Sequence, residues 1–190
     1  MTAHYPCEIR SEHLLFREFR PSDADAVVRI SRENTEVFAP LGEIHDVPSF
    51  ERWLSAIDRG ARARRRMEFR LAVERADTGA LIGIARVCDE QPARGIGSIG
   101  YGLSALEWGQ GFGTEAASAM LEFGFSELGL HRLEATIRVD NERSLRIARR
   151  LGMILEGRLR DYFWEEGKRA DAYLYSILAP EWHARKELRS

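Results

Sequence analysis

Gly109, Gly111 and Gly113 stand at alternate positions in the stretch LEWGQGFGTEAASAMLEFGFSELGL, which runs from Leu106 to Leu130. Behind them Ala117, Met120, Leu121, Phe125 and Leu128 recur at helical spacing, with Gly129 placed to stop the helix. Glycine loses the most backbone entropy on folding, so this density implies a backbone that something approaches closely. A helix entrance offers such a place. Its first amides lack partners within the helix and carry partial positive charge, which suits a phosphate. Two phosphate loops are excluded: Gly113 is followed by Thr114 rather than the Lys-Ser/Thr of a P-loop, and the dinucleotide spacing fails at position 114. Alone, the loop fits a ligand-free strand-to-helix turn as well as an anion site.

Asn141 opens a second helical pattern, DNERSLRIARRLG, with Ser144 three residues on and Gly152 closing it. As an N-cap, Asn141 would accept from the amide of Ser144, and the spacing alone asks for nothing more. His131 reads as a loop residue, and no histidines have ligand spacing, so no metal site is expected. Cys7 and Cys88 form no disulfide framework and fit a reducing compartment; Cys88 lies in an apolar run and reads as packing. The run RGARARRR, residues 59–66, is either a contact surface for RNA or an acidic protein, or simply a solvated helix end.

These groups need a framework. A short strand over Leu14–Phe19 precedes a first helix capped at Ser22 or Asp23, and a second helix starts near Ser49. MEFRLAVE and ALIGIARVCD read as a hairpin, GSIGYGLS as a strand, and HRLEATIRV as a strand with one covered face. Two strands around Glu166-Gly167-Lys168 follow the Asn141 helix. This order predicts a mixed sheet with helices on its faces. The 190 residues allow one core, so a single domain over 1–190 is expected. A net charge of -2 gives no general pull toward nucleic acid or anionic membrane. No run has the length of a membrane span or the apolar core of a secretory signal.

The stretch from Ser98 to Leu151 resembles the acetyl-CoA-binding core of the GNAT acetyltransferase superfamily. Its signature is Gln/Arg, two residues, Gly, one residue, Gly/Ala at a helix head, then a strand and an Asn-initiated helix. Gly111 and Gly113 match, while Trp108 holds the Gln/Arg position. LLFREFRPSDADAV, VDNERSLRIARRLGM and EGRLRDYFWEEGKRADAYLYSIL are similar to the RimJ/RimL-type branch, which modifies protein N-termini. The resemblance covers nearly the whole chain.

It implies an α/β fold: a mixed, mostly antiparallel sheet, splayed at an acetyl-CoA slot, with helices on both faces and a coenzyme core over 98–151. Acetyl-CoA is the implied co-substrate, with no metal. Backbone groups of Tyr101, Gly102, Leu103 and Ser104 would line the acyl-pantetheine slot, an N–H near Leu103 polarising the acetyl carbonyl. Gly109, Gln110, Gly111, Phe112, Gly113 and Thr114 would hold the pyrophosphate, Asn141 the pantetheine arm, and Arg149, with Arg150, the coenzyme phosphates. Many relatives protonate the departing thiolate with a tyrosine seven residues after the asparagine, a position held here by Ala148. RimL-like members use a serine three residues after it, which is Ser144.

Glu68 and Glu107 are the candidate bases, directly or through water. An α-amine, with pKa about 7.7–8.0 against about 10.4 for lysine, is already partly neutral and tolerates a weak base. The expected reaction is acetyl transfer in a ternary complex to the α-amine of a protein, such as a ribosomal protein, in the cytoplasm. Its alternatives are a small-molecule acceptor (polyamine, amino acid or antibiotic) and a non-catalytic acetyl-CoA-binding module. RNA contact is secondary, and a homodimer through an edge strand of the C-terminal hairpin stays open.

Overall fold

The computed structural model describes residues 5–33, 44–165 and 167–188. Strands covered on both faces need apolar residues at successive positions, and the two central ones have them. Leu71, Ala72 and Val73 lie in β3 (Glu68–Arg75), and Ile84, Ala85 and Val87 in β4 (Leu81–Gln91). Alternation then sorts these side chains between two cores. Leu71, Val73, Ala85 and Val87 pack with Ala116, Met120 and Leu121 of a helix on one face. Ala72 and Ile84 face the other way, onto Val27, Ile30, Phe50 and Trp53.

Before this pair come β1 (Glu8–Arg10), β2 (Leu14–Arg17), α1 (Ala24–Glu33) and α2 (Val47–Ala61). After it come β5 (Ile96–Leu103), α3 (Phe112–Glu122) and β6 (Arg132–Arg138). The chain continues through α4 (Glu142–Leu151), β7 (Ile154–Glu165), β8 (Lys168–Leu178) and α5 (Ala179–Glu187). The strands form one sheet in the order β1-β2-β3-β4-β5-β6-β8-β7. Every neighbouring pair is antiparallel except β5 with β6, which are joined by the crossover through α3. The expected mixed, mostly antiparallel sheet with helices on both faces is the one observed. No helix among the described residues is long and apolar enough to cross a membrane.

The parallel pair positions the site. It exchanges partners only at Ile96↔Arg132, Gly97↔Leu133 and Ser98↔Glu134, although β5 continues to Leu103 and β6 to Arg138. Beyond Ser98 the two strands diverge and leave a gap in the sheet.

Several local expectations change. Neither Ser22 nor Asp23 caps α1. Residues Pro21–Asp23 form a 3-10 turn, and Asp23 is buried as the acceptor for Arg17 at 2.8 and 2.9 Å and for the Arg20 amide at 2.8 Å. The second helix starts at Val47, capped by Asp46, and Ser49 donates its amide to that carboxylate at 2.8 Å. The helix behind the glycine loop ends at Glu122 and passes into a π-turn, Phe123–Glu127. Of its expected buried set, Leu128 alone is only half-buried. β1 and α5 lie outside the expected elements, and Glu166 of the expected hairpin turn lies outside the described residues.

Arg17 and Asp23 are each only 6% exposed, and Glu74 accepts from Arg17 at 2.7 Å. The bond to Asp23 is the main reason the Arg17 guanidinium is held even more firmly protonated than usual. Losing a helix cap costs about 1 kcal/mol, whereas removing one partner of a buried pair costs about 3 kcal/mol or more. Asp23→Ala is therefore expected to lower unfolding stability by about 3 kcal/mol in urea titration, with Ser22→Ala near neutral. A loss of about 1 kcal/mol would return Asp23 to a capping role.

Candidate functional site

Two cavities meet where β5 and β6 part. The first, of about 340 Å³, lies between the glycine loop and α4 and is lined by Gly109, Gly111, Gly113, Arg143 and Arg146, among others. The second, of about 160 Å³, fills the gap between the strands, against Ile99, Thr136, Ala148 and Phe163. Tyr101, Asn141, Ser144 and Ile147 border both. The space thus runs from a helix entrance into the opened sheet.

The glycines have different reasons. Gly111 is the N-cap of α3 at φ +92°, a left-handed conformation that L side chains rarely adopt, and a Cβ there would meet nothing within 4 Å. Gly113 answers to close approach: a Cβ would stand 3.1 Å from Ile147 Cδ1 and 3.4 Å from Tyr101 Cε2. The amides of Thr114 and Glu115 return to the Gly111 carbonyl at 2.9 and 3.1 Å. Those of Phe112 and Gly113 are donors the helix leaves over, at its positive end.

Backbone donors also face the gap. Ser104 donates to the Ile82 carbonyl at 2.8 Å, so in the antiparallel register the pairs 82/104 and 84/102 exchange hydrogen bonds. Tyr101 and Leu103 belong to the alternate pairs, and their N–H and C=O groups point away from β4. On that side β6 has already diverged. The Leu103 carbonyl is taken by Trp108 Nε1 at 3.1 Å; its N–H is turned into the opening.

Trp108 carries more. The Arg143 guanidinium lies 3.4 Å from the centroid of its indole, linking the loop to α4 by a cation–π contact. Arg143, Arg146 and Arg150 line the first cavity at the spacing of one helix face. Arg143 and Arg146 have no carboxylate partner among the described residues. Of the two arginines named from the sequence, Arg150 is in this lining, while Arg149 is exposed and lies outside it. Measured from Ile147, which borders both cavities, helical phase puts Arg143, Arg146 and Arg150 within about 100° and Arg149 about 160° away.

The remaining expected site residues divide. Asn141 caps α4, accepting from the Ser144 amide at 3.1 Å. Ser104 is buried and donates to Glu33 Oε2 at 3.1 Å. Gln110 points to the Leu106 carbonyl and to Glu107, and the Phe112 side chain packs in the core, so only the loop backbone at these positions is turned to use. Glu107 lines the first cavity, 3.4 Å from Arg75. Glu68 sits opposite Cys88, which pairs Ser98, below the point of divergence; it is bound by Arg86 and by Arg70 at 2.9 Å. The structure does not bring the two glutamates together. Sequence reading missed the Tyr101 hydroxyl, which donates to Ser144 Oγ at 3.4 Å. Period-two alternation, placing 99, 101 and 103 on the α3 face, was the available signal.

Neither cysteine is a nucleophile at neutral pH, because burial pushes each thiol up to about 11, and neither borders the two cavities. The arginine run is largely consumed by the fold. Arg62 bonds Asp58 at 2.8 Å and stacks on Tyr5, Arg65 pairs with Asp89 at 3.5 Å, and Arg66 pairs with Glu18 over the ring of Phe69. Among the described residues no group of three His, Cys, Asp or Glu side chains could hold a metal ion.

A family model described as an acetyltransferase (GNAT) domain matches residues 13–154. The uncharacterized N-acetyltransferase YoaA of Bacillus subtilis (strain 168) is 32% identical over 173 residues, 90% of this chain and 97% of its own. The spermidine N(1)-acetyltransferase of Escherichia coli (strain K12) is 32% identical over 76 residues, 40% of this chain and 41% of its own. The solved structure of Mycobacterium smegmatis RimJ in complex with CoA-disulfide has a TM-score of 0.78 at 26% identity, covering 88% of this chain and 83% of that one.

Two unpaired guanidinium groups beside a helix N-terminus suit a polyanion. Replacing both Arg143 and Arg146 by Glu is expected to raise the Kd for acetyl-CoA at least about tenfold in calorimetric titration, with a flatter salt dependence. Arg149→Glu should change it less than about threefold. Equal effects would put the coenzyme phosphates on a different face of α4.

Proposed function

The chain belongs to the GNAT acetyltransferase family and is an acetyl-CoA-dependent N-acetyltransferase; within that activity we propose that its acceptor is the N-terminal α-amine of a protein, such as a ribosomal protein. The observation that carries this reading is the likeness to RimJ in sequence and fold over 88% of the chain. Acceptor choice belongs to a whole cleft. Sequence likeness to the spermidine enzyme spans 40% of the chain and makes the small polyamine the second reading.

The chemistry assigned to the site follows its geometry. The Phe112 and Gly113 amides, with Arg143 and Arg146, hold the diphosphate. The Leu103 N–H polarises the thioester carbonyl and stabilises the oxyanion. Asn141 orients the arm, and Ser144 donates a hydrogen bond to the sulfur as the C–S bond breaks. With neither cysteine bordering the two cavities, transfer is direct, within a ternary complex. Arginines engage both oxygens of Glu68 and one oxygen of Glu107, the latter at 3.4 Å, so an acceptor already partly neutral suits this site better than a lysine. We place the enzyme in the cytoplasm, where free cysteines persist.

Thiol release from acetyl-CoA tests the acceptor directly. A peptide with a free N-terminus is expected to be turned over, at a rate that rises with pH and levels above about 8 as the α-amine loses its proton. The same peptide, Nα-blocked and containing lysine, should be inert, and spermidine poor. Turnover of spermidine alone would favour the second reading. Ser144→Ala should lower kcat roughly 10- to 100-fold with little change in acetyl-CoA affinity; full-speed turnover would remove its role.

A further inference from the structure

Ser144 has two backbone tasks already met: its amide is bonded to Asn141, and its residue opens α4. Its hydroxyl has one proton and two lone pairs. A serine in a helix commonly turns that proton back to a carbonyl of the preceding turn, but here Ser144 Oγ is an acceptor, from Tyr101 Oη. Among the described residues no acceptor takes its proton. We propose that Tyr101 acts through Ser144: its phenol occupies one serine lone pair and so aims the serine proton into the cavity, at the departing sulfur. Tyr101 is thus a positioning residue for thiolate departure. The inference rests on the role given to Ser144 above.

The surroundings are built for this. The Tyr101 ring lies on β5, at the boundary of both cavities, and with Ile147 it closes over Gly113, where a Cβ would stand 3.4 Å from the ring and 3.1 Å from Ile147 Cδ1. At 3.4 Å the contact is long for O–H···O. Burial pushes the Tyr101 hydroxyl above its ordinary range, so it stays a donor at working pH. The pair therefore stabilises charge without losing protons. The C–N bond forms, and the C–S electron pair passes to sulfur. The nitrogen's surplus proton leaves to solvent, the thiolate is protonated from solvent, and Ser144 and Tyr101 keep their own.

Tyr101→Phe removes one oxygen and keeps the ring, and melting temperature verifies the fold of each variant. It is expected to lower kcat about five- to tenfold, the size of one hydrogen bond, with KM for acetyl-CoA within about twofold. The decisive comparison is with Ser144→Ala: in that background Tyr101→Phe should have no further effect on kcat. A structural role for the phenol would slow both backgrounds alike, and that result overturns the inference. Wild-type speed for Tyr101→Phe beside a slow Ser144→Ala also overturns it, while leaving Ser144 in place. If Ser144→Ala itself runs at full speed, the reading of Ser144 fails and the inference fails with it.

Discussion

Beyond Ser98 the strands β5 and β6 stop exchanging hydrogen bonds, and everything specific about the site depends on that divergence. A strand that loses a neighbour inside a protein leaves a row of donors and acceptors that need partners. Here the row is treated unevenly. The Leu103 carbonyl is satisfied within the chain by the Trp108 indole, while the Leu103 N–H is left facing the opening. At Leu103, a satisfied acceptor beside an open donor makes a spot that attracts oxygen with partial negative charge. A thioester carbonyl, and more so the oxyanion it becomes, is such a group.

Packing fixes the sheet on both faces. On one face α3 presents Ala116, Ala117, Met120 and Leu121 to the sheet, small residues allowing close approach and large ones filling the wedge. On the other, the pair of Arg17 with Asp23 and Glu74 fixes the start of α1 against β2 and β3. An ion pair of this burial adds little over an apolar contact but is costly to break, so it acts as a constraint on where α1 begins. Most other arginines near the sheet are similarly engaged, including three of the run at 59–66. Against that background, Arg143 and Arg146 differ in having no carboxylate partner among the described residues.

How much of this the sequence revealed follows from the range of each interaction. Strands and helices with strong periodicity were legible, and so were the caps at Asn141 and Gly152, because their causes lie within a few residues. Asp23 was misread: it looks like an N-cap, yet its partners Arg17 and Arg20 precede it, and burial decided the outcome. β1 is three residues with charged ends and has no pattern of its own; it exists because β2 offers an edge. At the site, the glycine loop and Ser144 were found by motif. Of the two arginines named for the coenzyme phosphates, Arg150 lines the first cavity and Arg149 does not; Arg143 and Arg146 were passed over because only the cavity fixes which side of α4 faces it. The Tyr101 hydroxyl was missed because its role needs a contact across 43 residues of chain.

Trp108 shows how such a long-range contact compensates a local departure. The glycine loop of this family begins with Gln or Arg, and a tryptophan there takes away a polar side chain beside the phosphate cradle. Yet the indole does two things here. Its one donor closes the Leu103 carbonyl, and its face holds the Arg143 guanidinium at 3.4 Å, drawn from α4. The cation is therefore restored beside the glycines from a different element of the chain. Stacking also limits its rotamers, so in the proposed diphosphate-binding role less side-chain entropy would be lost. The position reads as a loss in the motif, but in the fold it relocates the guanidinium and couples the glycine loop to the helix that carries Ser144.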